Sequence, residues 1–191
     1  MKKLANIIFQ AASTDEHFIQ IVDLQKRNHK QYLSEEQQVQ DGFLFAEHST
    51  EILNTMASVM PQMIAVNNGK VVGYCLAMNS AMQYYLPTLT PMFAQFENCQ
   101  YQGRLLTDYE FMVGGQVCVD EEFRGLGLMN QLYQSLKKMV ANHYKLCVTE
   151  ISSRNLVSLK AHYKAGFKSI GNYNDGEESW NIVILDFTLG K

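Results

Sequence analysis

Val117-Cys118-Val119-Asp120-Glu121-Glu122-Phe123-Arg124-Gly125-Leu126-Gly127-Leu128-Met129-Asn130 is the stretch on which the reading of this chain turns. An apolar strand ends at Val119, a short polar turn follows, and Arg-Gly-x-Gly opens a helix. A helix N-terminus presents backbone N–H groups without intrahelical partners, together with the positive end of the helix dipole. Glycines let an anion come close to that backbone, so the segment reads as a cradle for pyrophosphate. Two other phosphate motifs are excluded. No G-x-x-x-x-G-K-[ST] occurs in the chain, and the G-x-G-x-x-G spacing of dinucleotide-binding folds is missing. By itself, a glycine-rich turn of this kind is also an ordinary strand–helix connection.

Working toward the C-terminus, residues 126–143 read as a helix, with Leu128, Leu132, Leu136, Met139 and Val140 on one face. Residues 146–151 read as a strand, 155–165 as a helix, and 166–173 and 180–187 as strands joined antiparallel through Asn174-Asp175-Gly176. Working toward the N-terminus, 109–119 reads as a strand, and Gly114-Gly115 inside it marks a bulge or a close approach by another backbone or ligand. Met63–Val66 and Val71–Met78 form a hairpin around Asn67-Asn68-Gly69-Lys70. Residues 80–106 mix aromatics, methionines and two prolines without a period. They read as a structured loop with short helices, or as an insert covering a substrate. Their methionines and aromatics suit core more than an acceptor pocket.

The first third of the chain reads as a strand over 4–10 and a helix over 15–32 capped by Ser13, Thr14 or Asp15. A short helix opens on the capping box Ser34–Gln37 and ends near Gly42, and another runs from Thr50 to Met60 before Pro61. Strands alternating with helices imply a single layered α/β domain over 1–191.

The cradle resembles the coenzyme A motif of the Gcn5-related N-acetyltransferase (GNAT) family, Gln/Arg-x-x-Gly-x-Gly/Ala. Arg124, Gly127 and Met129 hold its fixed places, and Met129 departs from the small residue usual there. A second stretch is similar to another family motif, a Glu-Val strand end followed by Asn-x-x-Ala-x-x-Leu-Tyr-x-x-x-Gly-Phe. Here it reads Thr149-Glu150-Ile151, then Asn155, Ser158, His162, Tyr163, Gly166 and Phe167. The two matches come in the right order and carry the resemblance across residues 62–187. It implies a mixed, mostly antiparallel central sheet of about six to seven strands flanked by helices. It also implies acetyl-coenzyme A as cosubstrate and an N-acetyltransferase acting on a primary amine of a small molecule or peptide. A non-catalytic acyl-coenzyme A sensor on the same fold is the alternative.

The resemblance assigns the coenzyme contacts to Arg124, Gly125, Leu126, Gly127, Leu128, Met129, Asn130 and Asn155. It assigns the pantetheine contacts to the backbone of Val117 and Val119. Acetylating an amine requires removal of a proton, and departure of a thiolate is eased by giving one. Glu150 stands where some relatives keep a general base, and Glu110, on the strand leading to the cradle, is a second candidate. His162 stands where the family keeps a tyrosine acid. Its reference pKa of about 6.5 lies below that of a thiol at about 8.5, so it has the chemistry to protonate a thiolate.

Composition narrows the partners. The net charge of −3 lacks the basic excess that phosphate contacts demand, which argues against nucleic acid. No apolar run approaches the ~20 residues of a membrane span. Met1-Lys2-Lys3 and the apolar residues after it faintly suggest a secretion signal, but Asn6 and Gln10 break the run and a first strand explains it better. Cys75, Cys99, Cys118 and Cys147 form no C-x-x-C pair and have no histidine at zinc spacing, so no metal is expected and the thiols read as free in a reducing cytoplasm. A monomer or a homodimer is expected.

Overall fold

The computed structural model describes residues 6–189. In chain order it contains β1 (Ile7–Ala11), α1 (Asp15–Asn28), α2 (Glu35–Asp41), α3 (Thr50–Val59), β2 (Met63–Asn67), β3 (Lys70–Met78), α4 (Thr90–Glu97), β4 (Gln100–Tyr101), β5 (Arg104–Leu105), β6 (Phe111–Val119), α5 (Leu128–Val140), β7 (Leu146–Ser152), α6 (Leu156–Lys164), β8 (Lys168–Asn174) and β9 (Ser179–Asp186). Seven strands form one sheet in the order β1-β2-β3-β6-β7-β9-β8. Only β6 and β7 run parallel; the other neighbouring pairs are antiparallel. This is the mixed, mostly antiparallel layered fold expected from the sequence.

Local signals place the first helices. Thr14 accepts the His17 N–H at the start of α1. Ser34 and Gln37 close a reciprocal capping box on α2. Helix α1 is shorter than the expected 15–32, because tertiary contacts capture the backbone after Asn28. The Leu44 N–H bonds the Asn28 carbonyl, and the Lys30 N–H bonds the Leu44 carbonyl. His29 is therefore extended, and Lys30–Tyr32 make only a short 3-10 turn. The expected first strand begins at Ile7; positions 4 and 5 lie outside the described residues.

Two apolar layers sandwich the sheet. Phe18, Ile21 and Leu24 of α1, Leu53 and Met56 of α3, and Phe93 and Phe96 of α4 pack on one face. Leu132, Tyr133 and Leu136 of α5 pack on the other, with Leu159 of α6. Residues 80–106 belong to the first layer: Met82, Phe96 and Leu106 are fully buried. Their burial supplies the core reading of that segment.

Candidate active site

The site exists because the sheet opens along β6. Pairing with β7 covers only Phe111–Val113 against Leu146–Val148. At the next residues β6 bulges: Ala77 of β3 stands opposite Gly114 but Leu76 stands opposite Gln116, so Gly115 is the extra residue. Side chains crowd this passage, and glycine leaves them room. A β-carbon on Gly114 would lie 3.2 Å from Cys147 Sγ, and one on Gly115 would lie 2.7 Å from Met78 Cε. Beyond the bulge the two strands part, and a cavity of about 420 Å³ lies between the end of β6, the start of α5 and one side of α6.

The ladder fixes which backbone groups face that opening. The Asp120 N–H bonds the Val72 carbonyl, and Val119 stands opposite Gly73. In an antiparallel ladder, alternate residues turn their N–H and C=O away from the partner strand. By that alternation Val119 and Val117 turn theirs away from β3, toward the edge that β7 has left. Both line the cavity.

The cradle follows. Asp120 is buried, accepts the Glu122 N–H and pairs with Arg27 at 3.0 Å, which fixes the turn after β6. Gly127 is the N-cap of α5, with φ +80° and no side-chain cap. The first bond of the helix runs from the Gln131 N–H to the Gly127 carbonyl. The N–H groups of Leu128, Met129 and Asn130 therefore precede any available helix carbonyl. Asn130 also lines the cavity and carries a buried Oδ1 with no hydrogen-bond partner among the described residues. Gly125, Leu128 and Met129 line the cavity as well, whereas Leu126 packs on the α5 layer. Lys164 of α6 brings a cation to the rim.

Arg124 and Asn155 line the cavity, yet their polar atoms are engaged within the protein. The Arg124 guanidinium donates to Asp41 Oδ1 at 2.8 Å, to Asn28 Oδ1 at 2.6 Å and, through Nε, to the Val119 carbonyl at 3.2 Å. Asn155 caps α6 by accepting the Ser158 N–H and donates from Nδ2 to the Phe43 carbonyl at 2.8 Å. Together they tie residues 41–44 over the cavity, so Asp41, Phe43 and Leu44 join its lining. Nothing in the local sequence marks these residues, because their partners lie 83 to 112 positions away.

Glu150 stands on the opposite face of the sheet. Alternation along β7 sends Cys147 and Ile151 to the α5 layer, and Val148 and Glu150 to the α1 side. Burial pushes the Glu150 carboxyl up to about 7; a hydrogen bond from Tyr173 opposes that rise and nearby Asp175 adds to it. Trp180, opposite Tyr173 in the β8–β9 ladder, meets Phe45 with ring centroids 4.8 Å apart.

A family model described as "Acetyltransferase (GNAT) family" matches residues 18–167. The chain belongs to the GNAT acetyltransferase family. No curated protein matches this GNAT chain in sequence. Solved structures match it in fold. The ribosomal-protein-S18-alanine N-acetyltransferase from Escherichia coli aligns with TM-score 0.61 and 12% identity, over 97% of this chain and 96% of that one. A chain of the NatC complex bound to Gag peptide and CoA aligns with TM-score 0.62 and 17% identity, over 95% and 98%. The putative acetyltransferase yncA from Salmonella typhimurium, solved with its cofactor acetyl-CoA, aligns with TM-score 0.60 and 15% identity, over 98% and 97%.

Besides Leu126 and Glu150, two further expected site residues of this GNAT chain, Glu110 and His162, are absent from the cavity lining. Glu110 precedes β6 at the end of the strand remote from the cradle and lines a separate depression with Met139 and His143. Nine residues of extended chain separate it from Val119, roughly 30 Å at strand rise. His162 points into the α5 layer and is 3% exposed. Its ring contacts Tyr133 and Phe167 edge-on, and burial pushes its pKa down to about 4. The ring lies in the core and outside the cavity lining, away from where the expected acid would act. Ser158, Ala161 and Lys164 present the cavity-facing side of α6 instead. Among the described residues, no group of three or more His, Cys, Asp or Glu is arranged to hold a metal, and no helix is long and apolar enough to cross a membrane.

Proposed function

We propose that this GNAT chain is an N-acetyltransferase that moves an acetyl group from acetyl-coenzyme A to a primary amine of a small molecule or peptide. The observation that carries this reading is the opening of the sheet at Gly114-Gly115. It sets an anion cradle and an exposed strand edge on one side of β6 and β7, and a half-buried carboxylate on the other.

Acetyl-coenzyme A supplies the acyl group as a thioester. The N–H groups of Leu128, Met129 and Asn130, with the positive end of α5, hold its diphosphate, and Lys164 adds charge at the rim. The backbone edges of Val117 and Val119 pair with the amides of the pantetheine arm, which lays the thioester along β6 toward the bulge. Fixing the thioester and the amine together supplies much of the acceleration. Glu150, raised to about 7, is part-ionised near neutral pH and takes the proton that the ammonium must lose before attack. The departing thiol has a reference pKa of about 8.5, so it leaves as thiolate without a dedicated acid. His162 is assigned no part in that step. The similar Escherichia coli and NatC structures, an alanine N-acetyltransferase and a peptide-bound complex, support an amine acceptor.

The test is thiol release from acetyl-coenzyme A over a panel of polyamines, aminoglycosides and peptides with free N-termini. Acceptor-dependent release is expected, with Glu150→Gln lowering kcat about 100-fold and leaving acetyl-coenzyme A affinity unchanged. Tight binding with no release from any acceptor would favour the sensor reading.

A further inference from the structure

Tyr173 and Glu150 stand on strands that are not neighbours. β9 lies between β7 and β8, Glu150 stands opposite Ile182, and Tyr173 stands opposite Trp180. The two side chains nevertheless meet across β9: the Tyr173 hydroxyl donates to Glu150 Oε2 at 2.5 Å. Two strand spacings are roughly 10 Å, so the contact requires a long phenol and a long carboxyl, each aimed at the other.

We propose that Tyr173 is the positioning residue for Glu150, holding Oε2 so that Oε1 alone faces the acceptor amine. The proposal rests on the reading of Glu150 as the base. Oε1 has no hydrogen-bond partner among the described residues, whereas Oε2 is committed. A carboxylate fixed through one oxygen has its rotamer set and its second oxygen aimed. That is the geometry a proton acceptor needs within hydrogen-bond reach of its substrate.

Other groups around the pair leave this role to Tyr173. Among the described residues, the charge that acts on Glu150 is Asp175, in the turn after β8, and it acts by repulsion. Cys99 lies beside Tyr173, and burial pushes its thiol up, so it stays neutral. Arg154 and Glu178 engage each other, with contacts of 2.7 and 3.1 Å. Asp175 also accepts the Trp180 indole N–H, which holds the turn in place. A hydrogen bond to the ionised form favours that form, so the phenol keeps Glu150 more acidic than burial and Asp175 alone would leave it.

The experiment is the pH profile of kcat/KM for the best amine of the panel, measured on the full chain. Glu150→Gln identifies the limb that belongs to the base. Tyr173→Phe is expected to move that limb to higher pH by about one unit and to lower kcat at neutral pH, with acetyl-coenzyme A affinity unchanged. Asp175→Asn, which removes the repelling charge, is expected to move it to lower pH. An unmoved limb in Tyr173→Phe overturns the positioning role while leaving Glu150 as base. A limb that survives in Glu150→Gln overturns the base assignment and this inference together.

Discussion

The Tyr133 hydroxyl donates to His162 Nε2 at 3.1 Å, and His162 Nδ1 lies 2.8 Å from the Ser158 carbonyl. A carbonyl only accepts, so Nδ1 carries the proton. In a neutral ring Nε2 is then the acceptor for Tyr133. Both ring nitrogens are satisfied in the core, which ties His162 into the packing between α5 and α6.

That placement has a pH signature. Burial pushes His162 and His48 from 6.5 down to about 4 and pushes Glu150 from 4.5 up to about 7. Below about 6.5 the unfolded chain protonates both histidines while the folded chain does not, so their contribution to stability is lost as pH falls toward 4. Glu150 works in the other direction: the folded chain holds a proton that the unfolded chain releases, which stabilises at low pH and fades as pH rises through 7. From pH 7 to pH 5 the histidines outweigh the glutamate, and stability should fall by about 1–2 kcal/mol. Glu150→Gln should steepen that loss to about 3–4 kcal/mol. Urea midpoints at the two pH values measure both quantities. A pH-independent midpoint in Glu150→Gln would contradict the burial of the histidines.

Arg124 and Asp41 give a second test. Asp41 is an anion at the margin of an anion site, and plain repulsion requires that Asp41→Asn tighten acetyl-coenzyme A binding. The geometry argues otherwise, because Asp41 and Asn28 hold Arg124, and Arg124 Nε holds the Val119 carbonyl. Asp41→Asn and Arg124→Met are each expected to weaken binding about 3- to 10-fold. The double variant should be little worse than either single one, as for residues acting as a unit. Calorimetry decides it, and tighter binding by Asp41→Asn would dissolve the clamp.

Particular residues show how far the sequence carries. Asn68-Gly69 was legible as a hairpin because both residues take positive φ, +48° and +78°, as that turn demands. Gly114-Gly115 was legible as a bulge because a strand interior has little other use for paired glycines. The hairpin at Gln102-Gly103 uses the same left-handed geometry, φ +51° and +76°, but glutamine does not advertise it. His162 shows a different gap. A motif fixes its place in the chain, whereas the side of α6 that meets α5 is fixed by Leu159 of α6, Tyr133 of α5 and Phe167 in the turn before β8. The Tyr173–Glu150 contact spans 23 positions and an intervening strand, so no local pattern holds it.

The cradle at Gly127 is the central claim, and calorimetric titration with acetyl-coenzyme A tests it most directly. Gly127 combines φ +80° with open space, since beyond its two chain neighbours no heavy atom lies within 4 Å of where its β-carbon would be. Replacement by glutamate therefore meets no protein clash; the left-handed backbone costs about 1–2 kcal/mol. The loss falls on the ligand, through a blocked approach and a negative charge beside the diphosphate. We expect saturable binding by the native chain and none by Gly127→Glu, with circular dichroism spectra that superimpose. Equal affinity in the two proteins would contradict the account.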